Sequence, residues 1–137
     1  MKSRRTITTV LLAAALLGGC RSEKLPSRDE IPVLRQQFFA LEQALKQKSA
    51  AGIDSLASTE LRAGGRIPDS LLAFVYGPAG EFGFTRFDDY TIFFNNDLAI
   101  IDCDLIDSSG AQRRPARFDF RKQDDRWLLK SYQTAAP

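Results

Sequence analysis

Apolar positions recur along this chain in two rhythms, and the switch between them divides it. Ile31, Leu34, Phe38, Leu41 and Leu45 fall three or four residues apart, the spacing that gathers side chains on one face of an α-helix. Asp29 stands where an N-cap belongs, which puts Pro32 at the third helical position, where a missing N–H leaves no bond unmade. Glu42 and Lys46, one turn apart, are expected on the solvent side of that helix. Ala50-Ala51-Gly52 interrupts the pattern, and a shorter helix is expected over 54–62 before Gly64-Gly65. Pro68 and Asp69 open a third helix through Leu71, Leu72, Phe74 and Val75, closed by Gly77-Pro78. From Phe82 onward the rhythm shortens to two. Aromatic and β-branched runs broken at Asn95-Asn96, at Asp107-Ser108-Ser109-Gly110 and at Asp124-Asp125 predict an antiparallel meander.

A hairpin loop decides which residues oppose each other, so these turns predict a register. A four-residue loop over 107–110 sets Asp104 opposite Arg113, Ile101 opposite Ala116 and Ala99 opposite Phe118. A turn at Asp124-Asp125 sets Phe120 opposite Leu129 and Asp119 opposite Lys130. Apolar residues then meet apolar ones and acids meet bases, the favourable choice for directly facing pairs. One sheet face becomes Ala99, Ile101, Cys103, Leu105, Ala116, Phe118, Phe120, Trp127, Leu129 and Ser131, the face for the helices to cover. Asp102, Asp104, Arg113, Arg117, Asp119, Arg121 and Lys130 make up the other, solvated face. A two-residue turn at Asn95-Asn96 sends Ile92, Tyr90 and Asp88 inward, whereas a three-residue turn sends Phe93, Thr91 and Asp89 inward; the sequence leaves both open.

Ahead of the helices lies a different kind of segment. Lys2, Arg4 and Arg5 precede an uncharged run from Thr6 to Gly19 that ends in Leu17-Gly18-Gly19-Cys20. A basic start, a short apolar core and small residues before a cut mark a secretory signal, and the run is too short to span a bilayer about 30 Å thick. The tetrapeptide resembles the lipobox of bacterial lipoproteins. That resemblance implies cleavage between Gly19 and Cys20, acyl chains on Cys20, and export to a membrane surface. Arg21 after the cysteine is not the aspartate typical of inner-membrane retention, so the expected address is the outer membrane facing the periplasm. Two or more acyl chains anchor stably, where one holds only marginally. The resulting division is a signal peptide over 1–19, a lipidated tether over 20–30 reaching at most about 35 Å, and one domain over 31–137.

The cut changes the composition. The chain has 19 basic and 17 acidic residues, and losing Lys2, Arg4 and Arg5 leaves 16 against 17. The expected mature protein therefore lacks the positive excess that nucleic-acid binding requires. Lipidation of Cys20 leaves Cys103 alone, without a disulfide partner. Ten phenylalanines and one tryptophan supply a core in its place.

A long first helix, two short ones and a curved meander ending in Asp-Asp-Arg-Trp-Leu-Leu-Lys-Ser-Tyr, 124–132, resemble the NTF2-like (cystatin-like α+β) domains of small bacterial lipoproteins. The resemblance implies an α+β cone in which the sheet curls around the first helix, with a pocket between them. It does not choose a function, because some relatives are isomerases or dehydratases and others only bind or scaffold. The sequence contains no histidine, the commonest general base near neutral pH, and no phosphate-cradling glycine loop, metal-ligand cluster or nucleophile elbow. No cofactor is expected and no catalytic residue is assigned. The expectation is a membrane-anchored, non-catalytic domain binding a small apolar ligand or an envelope protein, with Asp88, Tyr90, Cys103 and Trp127 as candidate ligand contacts. The rim over 77–87, mixing glycines with phenylalanines, is a candidate contact loop. Two alternatives stand beside it: a lyase or isomerase built on Asp88 and Tyr90, and a homodimer or assembly subunit using the outer sheet face.

Overall fold

The computed structural model describes residues 30–135. The expected Asp29 cap, the lipobox and most of the tether lie outside them. Four helices precede four strands: α1 Glu30–Gln47, α2 Ala50–Ser55, α3 Thr59–Ala63 and α4 Asp69–Tyr76, then β1 Phe84–Asn95, β2 Leu98–Asp107, β3 Arg113–Gln123 and β4 Arg126–Thr134. The strands form one antiparallel sheet in the order β1-β2-β3-β4, and the helices lie on its concave face.

Helix α1 buries Leu34, Phe38, Leu41, Ala44 and Leu45. Ile31 shares the predicted stripe but lies partly exposed. The chain leaves α1 through Lys48 in the left-handed region, φ 51°, while the Ser49 N–H donates to the Ala44 carbonyl at 3.0 Å. Ser49 then caps α2, its Oγ accepting from the Gly52 N–H at 3.0 Å, and Ser58 caps α3 the same way through Leu61 at 3.2 Å.

The helix expected over 54–62 is two pieces, and the cause is the edge of the sheet. Ala57 forms a parallel bridge with Leu129 on the β4 edge: the Leu129 N–H donates to the Leu56 carbonyl at 2.7 Å and the Ser58 N–H to the Leu129 carbonyl at 2.9 Å. Two backbone groups on the β4 edge that would otherwise lack partners are thereby satisfied. Further along the same edge Arg66 donates to the Tyr132 carbonyl.

The sheet keeps most of its predicted faces and changes most of its predicted partners. The first turn is Asn96-Asp97, one residue later than expected, so Phe94 faces Ala99 and Ile92 faces Ile101. The second loop is displaced by one residue, so Ile101 faces Phe118, Ala99 faces Phe120 and Asp104 faces Pro115. Each displacement shifts the pairing by two, which preserves the side of every residue. The third turn falls at Asp124-Asp125 and Phe120 faces Leu129 as predicted, but a bulge at Lys130 puts Asp119 opposite Ser131. Ser131 accordingly leaves the inner face, its Oγ bonding Asp119 at 3.0 Å, and Tyr132 takes its place in the core.

Candidate functional site

The space between α1 and the sheet, where the cone's pocket was expected, is filled. Phe38 stacks on Phe87 with centroids 4.3 Å apart at 11°, and meets Phe118 at 6.0 Å and Phe120 at 6.5 Å. Phe84 closes on Phe87 from one side and Phe74 on Phe118 from the other. Burying this many rings is the main source of cohesion in a chain of this size.

What remains open on that side is a cleft of about 80 Å³ between α1 and β1, lined by Arg35, Phe38, Phe39, Glu42, Phe87 and Tyr90. Pockets that enclose a small molecule run to roughly 300–1,000 Å³; this one holds a side chain. Its walls are set by a bulge in β1 between Asp88 and Thr91, with Asp89 in the left-handed region at φ 49°. The bulge tips the Tyr90 ring against the edge of Phe38, 5.5 Å away at 60°, and leaves it 41% exposed. Phe39, opposite, is 61% exposed. Glu42 reaches across the cleft, its Oε2 accepting from the Phe87 N–H at 2.7 Å. It faces the sheet edge, in place of the expected outward pair with Lys46.

The four candidate ligand contacts do not converge. Tyr90 alone borders the cleft, and among the described residues its hydroxyl has no hydrogen-bond partner. Asp88, inward under the two-residue turn, is set by the bulge on the outer face, where Arg113 donates to it at 3.0 Å and Arg86 lies 3.3 Å away. Arg113 also holds Asp89 at 3.2 Å and Asp104 at 2.9 Å. Asp102 takes a two-pronged contact from Arg117 at 2.7 and 3.0 Å. Cys103 is buried, and burial, with the nearby Asp104, Asp102 and Glu42 carboxylates, pushes its thiol well above the ordinary range, so no thiolate nucleophile is available. Trp127 is buried at the other end of α1, its Nε1 donating to Glu30 Oε1 at 2.8 Å and its ring edge-on to Phe94.

Glu30 completes a clasp that the sequence did not reveal. Its other oxygen accepts from Lys122 Nζ at 2.7 Å, so one carboxylate ties the first turn of α1 to both β3 and β4. The hydrogen bonds from Lys122 and then Trp127 hold the Glu30 carboxyl below its usual range.

Two of the larger hollows are surface grooves. One, of about 570 Å³, runs past Gly77, Pro78, Glu81, Phe82 and Arg114. Its guanidinium sits 4.9 Å over the Phe82 ring and donates to the Phe74 and Val75 carbonyls at 2.7 and 3.0 Å, which makes Arg114 the cap of α4. The phenylalanines of the 77–87 rim, expected as a contact loop, turn into the core. The other groove, about 650 Å³, lies against Thr59, Glu60 and Arg121. Among the described residues no histidine, cysteine or carboxylate group clusters as metal ligands would, and no helix is long and apolar enough to cross a membrane.

Comparison with solved structures places this architecture. The chain superposes on an Ntf2 like protein involved in plasmid conjugation with a TM-score of 0.56 and 17% identity, over 82% of this chain and 41% of that one. It superposes on a candidate dehydratase of the NTF2-like family from Streptomyces avermitilis with a TM-score of 0.55 and 15% identity, over 82% of this chain and all of the other. The fold is the NTF2-like α+β fold. A SEC-C motif containing protein from Rhodopseudomonas palustris matches with a TM-score of 0.51 and 17% identity, over 69% of this chain and 72% of that one. No family model matches the sequence, and no curated protein matches it. At these identities the likeness concerns the NTF2-like fold alone, and its filled interior is a property of this chain's own residues.

Proposed function

We propose that this chain is an exported lipoprotein, anchored through acyl chains on Cys20, whose NTF2-like domain is a non-catalytic module that binds a protein partner in the cell envelope. The observation that carries the binding half is the contrast between a ring-filled interior and the solvent-facing Phe39 and Tyr90 at the α1–β1 seam. Exposed aromatic residues beside a sheet edge are what protein contacts use. A lyase or isomerase would need a cavity for substrate and a carboxylate near Tyr90. Glu42 is the carboxylate in the cleft, and it is occupied by the Phe87 N–H.

The anchoring half rests on the lipobox resemblance at Leu17-Gly18-Gly19-Cys20. Metabolic labelling with a palmitate analogue in the native host tests it. The wild-type chain takes the label and sediments with membranes, whereas Cys20→Ala loses the label. An unlabelled wild-type chain, or label retained by the variant, overturns the anchor. Amine-reactive crosslinking of intact membranes tests the partner: recovery of only the free monomer overturns the binding module.

A further inference from the structure

Among the described residues, three aromatic rings carry a cation from their own chain. Arg66 lies 4.1 Å over the Tyr132 ring and also donates to the Tyr132 carbonyl at 3.1 Å. Arg114 lies 4.9 Å over Phe82 while it caps α4, and Lys48 lies 4.5 Å over Tyr76. Tyr90 and Phe39 are more exposed than any of these rings, yet among the described residues no lysine or arginine lies over either. Glu42, in the same cleft, is partly buried. Among the described residues it forms no ion pair, although Lys46 follows it by one turn. Its bond to the Phe87 N–H uses Oε2 alone. Oε1 has only the Gln43 amide at 3.5 Å, a distance at which a hydrogen bond is weak.

A carboxylate oxygen without a strong donor, set beside aromatic faces of negative charge density, draws a cation. Arg35 does not supply it. It precedes Glu42 by seven residues, about 10 Å along the helix axis, and joins neither Glu42 nor a ring. We propose that the cleft receives an arginine side chain of the envelope partner, its guanidinium lying on the Tyr90 ring and donating to Glu42 Oε1. A planar guanidinium can lie on a ring and still send N–H groups sideways to an acceptor, as Arg66 does at Tyr132. A lysine ammonium has no flat face to stack and holds its water more tightly. An acidic side chain would meet the Glu42 charge, and a purely apolar one would strip water from Glu42 Oε1 and return no donor. The cleft, about 80 Å³, admits one side-chain head group and no larger ligand.

This inference rests on the binding-module reading and names the residue type that the partner presents. The test is amine-reactive crosslinking in intact membranes with the acylated full chain, because the reagent leaves an arginine contact unmodified. Glu42→Gln keeps an acceptor for the Phe87 N–H and removes the charge, so recovery of the partner is expected to fall about tenfold with the fold intact. Tyr90→Leu keeps an apolar side chain without the ring face and should lower recovery severalfold. Arg35→Gln removes a like charge near the incoming guanidinium and should raise it. Nα-acetyl-arginine methylamide added before the reagent is expected to suppress recovery from the wild-type chain, and its uncharged citrulline counterpart is not. Partner recovered equally from wild type, Glu42→Gln and Tyr90→Leu overturns the inference while leaving the binding module standing. A fall in Arg35→Gln, or suppression by Nα-acetyl-glutamate methylamide instead, assigns the cleft to an acidic side chain and overturns it too. Recovery that rises in Arg28→Gln assigns the cleft to this chain's own tether, with the same result. Free monomer from the wild-type chain removes both the inference and the binding module.

Discussion

Cys103 and Glu30 show how a single residue's surroundings decide its chemistry. The Cys103 thiol is held in its protonated form by burial and by carboxylates around it. Maleimide should therefore fail to label Cys103 in the native protein and label it promptly in denaturant; native labelling at the denatured rate would contradict the burial. Glu30 has the opposite problem, a carboxylate held charged by Lys122 and Trp127. A group whose native pKa is depressed stabilises the fold above its ordinary value of 4.5 and loses that contribution as the pH falls through the native value. Glu30→Gln should cost about 1 kcal/mol at pH 7, and the gap from wild type should be narrower at about pH 3. Denaturant titrations at the two pH values measure it, and a gap that widens in acid would contradict the clasp.

At the scale of elements, Glu42 acts as a substitute strand for Phe87. Truncating it in Glu42→Ala leaves that N–H without its acceptor, a loss of roughly 1–2 kcal/mol, with faster hydrogen exchange at Phe87 and its neighbours. Glu42→Gln retains an acceptor and should recover most of the loss; equal exchange in both variants would show that the contact does not hold the edge. The same role explains what the sequence could and could not reveal. Helix α1, the strand rhythm and the side of most sheet residues followed from apolar spacing, because spacing reports burial. Partners did not follow, because Asn95-Asn96-Asp97 offers residues that all tolerate turn geometry, and a one-residue choice there moves the pairing by two. The bulges at Asp89 and Lys130 carry no glycine or proline to mark them. Asp88, inward under one of the two turns the sequence left open, consequently lies outward, and Glu42, whose spacing to Lys46 suggested a helix-surface pair, serves the sheet. Phe39 falls off the apolar stripe of α1 in the sequence; its place across the cleft from Tyr90 required the fold.

For the whole molecule, the NTF2-like fold supplies a cone, and this sequence fills it. The remaining distinctive surface is the α1–β1 seam. Substituting Phe39 by Ser should leave thermal stability within about 1 °C of wild type, since an exposed side chain contributes little to folding, while lowering recovery of the crosslinked partner severalfold. A drop of several degrees would instead make Phe39 part of the core. The clasp at Glu30 has one more consequence, and it is mechanical. Any pull arriving along residues 20–29 enters the domain at the first turn of α1, and Glu30 passes it to Lys122 and Trp127 on the two strands of the last hairpin. The load is thereby shared between the helix and the β3–β4 ladder, where its many hydrogen bonds bear it together, so the first turn of α1 cannot be peeled away one bond at a time. Breaking that carboxylate's two contacts turns a braced handle into a frayed one, without altering a single residue of the core.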